Sequence, residues 1–401
     1  MRRYVEAIKN SDLTQRIGYV RELAGLVIRA SGPMAAVGDT CRIKARDGRS
    51  ILTEVVGVRT GEITLMPFGS ISGLSVGAEV ITTGDLADFP VGDALLGRVV
   101  DGFGGPLDRL PPIVCEERRS LRGIGINPMQ RPRIHKVLET GVRAIDALLT
   151  LGEGQRVGIF AGSGVGKSTL LGMIARYVIA DVNVIALIGE RGREVREFIE
   201  KHLGHEGLAR SVVVVATADQ PALARIRAAY AAIAIAEYFR GQGRQVLLTM
   251  DSITRLAMAR REVGLAAGEP PTARGYTPSV FAEIPELCER CGLADGGGIT
   301  ALLTVLVEGD DLNEPIADCL RATLDGHIVL SRDIAHRGRF PAIDVLKSTS
   351  RLMMDVASAE ERELATRTVR AMAALEKNRQ LVRHRSLRQG YKSGSRPRAA
   401  P

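Results

Sequence analysis

Through the first ninety or so residues, apolar positions come in short β-branched runs broken by Gly and Asp, as in Leu26-Val27-Ile28-Arg29-Ala30, Glu54-Val55-Val56-Gly57-Val58 and Glu62-Ile63-Thr64-Leu65-Met66. Evenly spaced short strands of this kind predict a small β-barrel over residues 1–95. A connecting stretch rich in Gly and Pro follows, at 101–108 and 127–132. From about residue 135 the rhythm changes. Near-continuous apolar runs at 156–160, 184–188, 212–216, 246–250, 299–305 and 327–330 alternate with helical segments. Strands that are apolar on both sides and separated by helices predict a parallel sheet covered on both faces, an α/β unit spanning 96–345. Beyond Ser358 the run Ala359-Glu360-Glu361-Arg362-Glu363-Leu364 opens an amphipathic helical segment, 346–382, and no internal repeat is visible.

The chemistry begins where the first apolar run of the α/β unit, Val157-Gly158-Ile159-Phe160, meets Ala161-Gly162-Ser163-Gly164-Val165-Gly166-Lys167-Ser168. This spacing predicts a phosphate-binding loop between a strand and a helix. Three glycines let main-chain N–H groups converge on the β- and γ-phosphates, Lys167 supplies a mobile point charge, and the Ser168 hydroxyl is offered to Mg²⁺. The expected nucleotide contacts are Gly162, Ser163, Gly164, Val165, Gly166, Lys167, Ser168 and Thr169. Ala161 stands where the usual pattern has Gly, at a position that needs only a small residue.

Two acids sit at the carboxyl ends of neighbouring apolar runs, the place where sheets of this kind hold their ligands. Asp251 ends Val246-Leu247-Leu248-Thr249-Met250, the arrangement in which a carboxylate holds magnesium opposite the hydroxyl of the loop. Glu190 ends Val184-Ile185-Ala186-Leu187-Ile188, inside Gly189-Glu190-Arg191-Gly192-Arg193-Glu194-Val195, and is placed to polarise the water that attacks a γ-phosphate. The blander alternatives are an acid capping the next helix at each position.

Composition narrows the class of protein. The chain has 401 residues, 45% of them hydrophobic, with no apolar run long enough to span a membrane and no secretory leader pattern at its start, so a cytoplasmic protein is expected. Five cysteines, at 41, 115, 288, 291 and 319, are odd in number and scattered, which points to reduced thiols. Cys288 and Cys291 form a C-x₂-C pair without two further ligands at zinc spacing, so they read as small residues on or just after one helix. The net charge of +8 suggests nucleic acid until it is located. Lys377, Arg379, Arg383, Arg385, Arg388, Lys392, Arg396 and Arg398 account for all of it, with no acid among residues 377–401. With no Trp and 4% aromatics the body also lacks stacking residues for single strands, so no nucleic acid is expected.

Together, the loop 161–168, the run 189–195, the strand ending at Asp251, the stretch Gly275-Tyr276-Thr277-Pro278-Ser279-Val280-Phe281-Ala282-Glu283 and Val307-Glu308-Gly309-Asp310-Asp311 resemble the type III export ATPases of flagella and injectisomes. These are relatives of the rotary ATP synthase catalytic subunit, and the resemblance covers roughly residues 20–382. It implies a RecA-like P-loop core behind a β-barrel, followed by a truncated C-terminal helical segment. It also implies a homohexameric ring at the inner face of the cell membrane, hydrolysing ATP with Mg²⁺. The implied partners are a central stalk, peripheral stator proteins, an export gate, and the chaperones and substrates of secretion. By the same resemblance Arg351 reaches a neighbouring subunit's site as an arginine finger, Phe340 stacks on adenine, Arg191 supports the phosphates beside Glu190, and the loop Leu265 to Tyr276 faces the central pore. Two alternatives stay open: a hexameric RNA translocase of the transcription-terminator type, and a catalytically impaired truncated subunit.

After Val382 the text departs from the family. Relatives continue with something like Asp-Ile-Gly-Ala-Tyr-Val-Lys-Gly-Ile-Asn-Pro, whereas this chain reads Arg383-His384-Arg385-Ser386-Leu387-Arg388 and onward to Pro401. Codons can be chosen for Arg383–Ala399 that, read one base later, spell the family text. The expectation is an out-of-frame reading after Val382 and a basic, disordered tail over 383–401.

Overall fold

The computed structural model describes residues 17–84, 88–123, 125–294, 296–307 and 311–393, with side chains described as far as Asn378. Six strands close a barrel in the order Ile17–Ala24, Val27–Ala30, Glu62–Pro67, Ser50–Arg59, Thr40–Lys44 and Glu79–Gly84. The three β-branched runs of the sequence fall in the second, fourth and fifth of these strands in chain order. Alternation puts Ile28, Ile43, Val55, Leu65 and Val80 inside, where they form a core of their own. A Cβ on Gly18 would stand 2.0 Å from the Gly32 carbonyl oxygen, so that barrel crossing admits only glycine.

The connecting stretch is sewn onto the larger unit. Val99–Val100 pairs in parallel with Ser211–Thr217 at one edge of the central sheet. Arg98 holds Asp108 through two hydrogen bonds of 2.7 and 3.0 Å, which keep the Asp108 carboxyl down at about 2.

From edge to edge the central sheet runs Thr349–Ser350, Gly326–Leu330, Arg156–Ala161, Gly297–Leu306, Gln245–Asp251, Val182–Glu190, Ser211–Thr217 and Val99–Val100. The six long strands predicted from the apolar runs are all parallel. The antiparallel additions are the short Gly292–Ala294 and Thr349–Ser350. Every residue of Val182–Glu190 is buried, as a strand covered on both faces requires. Val184, Ala186 and Ile188 pack into one core with the alanine-rich helix Ala222–Gly241, while Ile185 and Leu187 pack into the other with Leu170, Leu171 and Ile174 of helix Lys167–Tyr177. All six strands therefore present their carboxyl ends along one rim.

The last helix, Ala359–Ser393, starts from a reciprocal cap: the Ser358 amide donates to Glu361 Oε2 at 2.8 Å, and the Glu361 amide donates to Ser358 Oγ at 3.3 Å. Ala365 is buried, and Val369 and Met372 lean on the core beneath the phosphate loop. The helix continues to Ser393, eleven residues past Val382. That stretch holds Arg, Leu, Gln and Lys, good helix formers, and no proline. Residues 394–401 lie outside the described ones. Among the described residues no helix is long and apolar enough to cross a membrane.

Candidate active site

The strand Arg156–Ala161 ends buried, and the chain then turns through Gly164 at φ +77° and Gly166 at φ +88°, both in the left-handed region where glycine carries no Cβ penalty. A Cβ at Gly164 would meet nothing within 4 Å, so conformation rather than space demands glycine there. Gly166 is the residue before helix Lys167–Tyr177, whose first amides have no partner within the helix. Glycine turn and helix start together make an anion seat of main-chain N–H groups.

Two acids and one cation meet beside this seat. Asp251 is 2% exposed and Glu190 8%, and their strands are neighbours in the sheet. The Lys167 ammonium donates to Asp251 Oδ1, and to Glu190 Oε1 at 3.4 Å, joining both carboxylates to the helix start. Thr304 Oγ1, from the strand between those of the loop and of Asp251, donates to Asp251 Oδ1 at 2.7 Å. Arg255, on helix Ile253–Ala267, brings its Nε within 4.0 Å of Glu190 Oε1.

Burial pushes the Glu190 carboxyl above its ordinary range. Lys167 opposes the shift, a side-chain hydrogen bond with Glu194 adds to it, and Arg255 opposes it again. A buried carboxylate drawn both ways, within reach of a phosphate seat, suits a general base.

The donor set around Lys167 also fits a hard divalent ion. Ser168 is half-buried in the first turn of the helix and Asp251 offers a carboxylate, both oxygen ligands. Among the described residues no group of three or more His, Cys, Asp or Glu could hold a metal unaided. An ion here would share its shell with phosphate oxygens and water, as small divalent cations prefer. The cysteine pair offers no rival centre: Cys288 ends up inside helix Pro278–Glu289 and Cys291 just past it, both are buried, and burial pushes the Cys291 thiol up to about 12.

The other expected residues divide. Phe340 is 64% exposed, with its ring 3.5 Å from where a Gly166 Cβ would stand, so an open aromatic face flanks the loop. Gly162 and Val165 are buried, Ser163, Gly164 and Thr169 exposed, as an open-mouthed loop requires. Arg191 is not brought to the cluster. It stands just before helix Gly192–Glu197, its side chain is 80% exposed, and it pairs with Glu194 at 3.3 Å. Arg351 lies beyond the Thr349–Ser350 edge strand, exposed, donating to the Arg321 carbonyl at 3.0 Å. Leu265 to Ala267 complete a helix, and the rest of the expected loop is a turn with Ala273–Gly275 at its centre and Tyr276 buried at its end. Glu308, Gly309 and Asp310 lie outside the described residues, and Asp311 pairs with Arg274 at 3.0 Å. Thr304, Arg255 and Glu194 were not anticipated. The one signal for Thr304 was a hydroxyl in a strand otherwise apolar around it, next to the strand that ends in Asp251.

The "ATP synthase alpha/beta family, nucleotide-binding domain" matches residues 141–350, and the beta-barrel domain of the same family matches residues 20–84. The chain is 52% identical over 386 residues to the flagellum-specific ATP synthase of Bacillus subtilis (strain 168), covering 94% of this chain and 87% of that protein. It is 51% identical over 377 residues to the type 3 secretion system ATPase of Xanthomonas euvesicatoria, covering 94% and 85%. The assembled ATPase EscN of the enteropathogenic E. coli type III secretion system superposes with a TM-score of 0.87 at 47% identity, covering 91% of this chain and 88% of that one. EscN in complex with its central stalk EscO superposes at 0.84.

Proposed function

We infer the residue roles below from the premise that this chain belongs to the ATP synthase alpha/beta family, and within it to the type III export ATPases: it hydrolyses ATP to energise protein export through a type III apparatus. The observation that carries the roles is the cluster of Lys167, Glu190 and Asp251 at the mouth of the glycine turn. In our reading the β- and γ-phosphates lie over the amides of Gly162 to Thr169, and Lys167 answers their charge. Glu190 orients the attacking water and takes its proton, a contribution of about 10²–10⁴ in rate. Ser168 and Asp251 hold Mg²⁺, which neutralises charge on the phosphate oxygens when bound. Thr304 keeps Asp251 aimed, and Phe340 receives the base.

Arg351, exposed at the far edge of the sheet, completes the neighbour's site in a ring of six, as the planar guanidinium suits charge on a transferring phosphoryl. Support for the ring is the likeness to EscN described as assembled, and support for a central stalk is the likeness to EscN bound to EscO. Peripheral placement at the inner membrane face, stator contacts, approach to an export gate, and release of chaperones with unfolding of cargo complete the proposal. The RNA-translocase alternative falls with the family assignment. An impaired, binding-only subunit is separated by experiment: Glu190→Gln keeps ATP binding and loses turnover by about 100-fold or more, whereas Lys167→Ala weakens binding itself. A wild-type chain without measurable turnover at any protein concentration would overturn the reading.

A further inference from the structure

Gln155 is fully buried and stands immediately before the strand that ends in the phosphate loop. Its side chain is used at both ends. Oε1 accepts the Gly152 amide at 2.9 Å, and Nε2 reaches across to the Asp325 carbonyl at 3.2 Å and to Ser350 Oγ at 3.3 Å. The Ser350 hydroxyl in turn donates a hydrogen bond to the Thr150 carbonyl at 2.7 Å. The same Asp325 carbonyl accepts the Arg351 amide at 3.1 Å. One oxygen thus carries both the Gln155 side chain and the Arg351 backbone, and the residue before Arg351 is gripped by the same amide.

The surroundings leave this arrangement little freedom. Gly326 pairs with Ser350 across the edge of the sheet, and a Cβ there would stand 2.7 Å from the Thr349 carbonyl and 3.2 Å from Gln155 Nε2. The Asp325 side chain is in turn locked to Arg156, whose backbone and guanidinium donate three bonds of 3.0 Å. Thr349–Ser350 pairs through only two residues, too short an edge to be held firmly by its own ladder. The side-chain network supplies what the ladder lacks.

We propose that Gln155 is a positioning residue for Arg351: it fixes the short edge strand from which that arginine extends, and so ties the group offered to a neighbouring subunit to the strand that carries this subunit's own phosphate loop. The inference rests on the reading of Arg351 as acting in a neighbour's site. A guanidinium misplaced by about 1 Å costs up to about 100-fold in rate, so loosening its base acts on turnover rather than on nucleotide binding.

The test compares Gln155→Met, which keeps the volume and removes the amide, with Arg351→Ala and the double variant. The full chain is used at concentrations where the wild-type rate per protomer has reached its plateau. We expect Gln155→Met to lower kcat about 10-fold or more, to leave the Kd of a fluorescent ATP analogue within about 2-fold of wild type, and to add nothing in the Arg351→Ala background, because groups acting as one unit are not additive. Multiplying losses in the double variant, a raised Kd, or an unchanged kcat overturns the inference. If Arg351→Ala alone leaves kcat intact, the reading of Arg351 fails first and this inference with it. Should Gln155→Met not fold, Ser350→Ala removes the shared hydroxyl at the half-buried edge and is read by the same criteria.

Discussion

Thr304 Oγ1 donates a 2.7 Å hydrogen bond to Asp251 Oδ1, and both residues are buried where two neighbouring strands end. A carboxylate that must hold a cation through phosphate turnover cannot be left to rotate. Thr304→Val keeps the shape and removes the donor. Loss of such an orienting partner costs about 10–100-fold in metal affinity or activity. The Mg²⁺ concentration needed for half-maximal ATPase activity should therefore rise by about that factor, with little loss in melting temperature. An unchanged Mg²⁺ requirement would show that Asp251 is oriented by its strand alone.

Glu190 sets the acid side of the pH profile. Burial raises its carboxyl above the ordinary range, Lys167 and Arg255 pull it back, and Glu194 pushes it the same way as burial. The working form is the carboxylate, so kcat/KM falls as pH drops through the raised value. Glu194→Gln removes an upward push, and the acid limb should move to lower pH. Stability runs the other way. A carboxyl whose folded pKa is raised contributes fully below its unfolded value and loses that contribution as pH rises through the folded one. The wild-type site is thus least favourable to folding where it is most active. A limb that stays in place in Glu194→Gln would refute the coupling.

What the sequence shows plainly is what repeats along the chain. Glu190 and Asp251 were legible because each ends an apolar run, and in a parallel sheet those ends share a rim. Thr304 was not, because threonine inside a strand is ordinary β material until the neighbouring strand is known. Arg191 and Arg255 show the limit of adjacency. The arginine next to Glu190 in sequence turns to solvent at a helix start, while the one four positions after Asp251 comes round a helix face to within 4.0 Å of Glu190. The edge strands Val99–Val100 and Thr349–Ser350 are two residues each, below any period the sequence can display. The barrel was visible from alternation, yet its contact with the nucleotide unit was not.

That contact borders a half-open cavity of about 620 Å³ lined by Glu54 of the barrel and by Arg122, Arg227, Arg260 and Glu283. Glu269, Glu286 and Arg290 line it too. Burial pushes the Glu54 carboxyl up to about 7, against the pull of Arg122, Arg260 and Arg227. Its contribution to stability is therefore full below the ordinary carboxylate range and is lost as pH rises through about 7. Glu54→Gln deletes that dependence. Melting temperatures at pH 5.5 and pH 8 should fall less steeply in Glu54→Gln than in wild type, with the variant gaining at the higher pH. Parallel slopes would mean that the cavity keeps Glu54 hydrated.

Phe340 offers the cleanest separation of binding from chemistry. Its ring is 64% exposed and lies against Gly166, so it supports little of the core and much of the rim of the loop. Stacking of a base on an aromatic face is worth about 1–3 kcal/mol, and every base has such a face. Phe340→Ala should raise the Kd for ATP and ADP by about 5–150-fold and weaken GTP alike, while kcat at saturating ATP stays near wild type. Phe340→Tyr restores the affinity, since the face is kept. The melting temperature without nucleotide should barely move. If that temperature drops while the nucleotide Kd holds, the ring is a packing element, and the base is received by some other wall of the site.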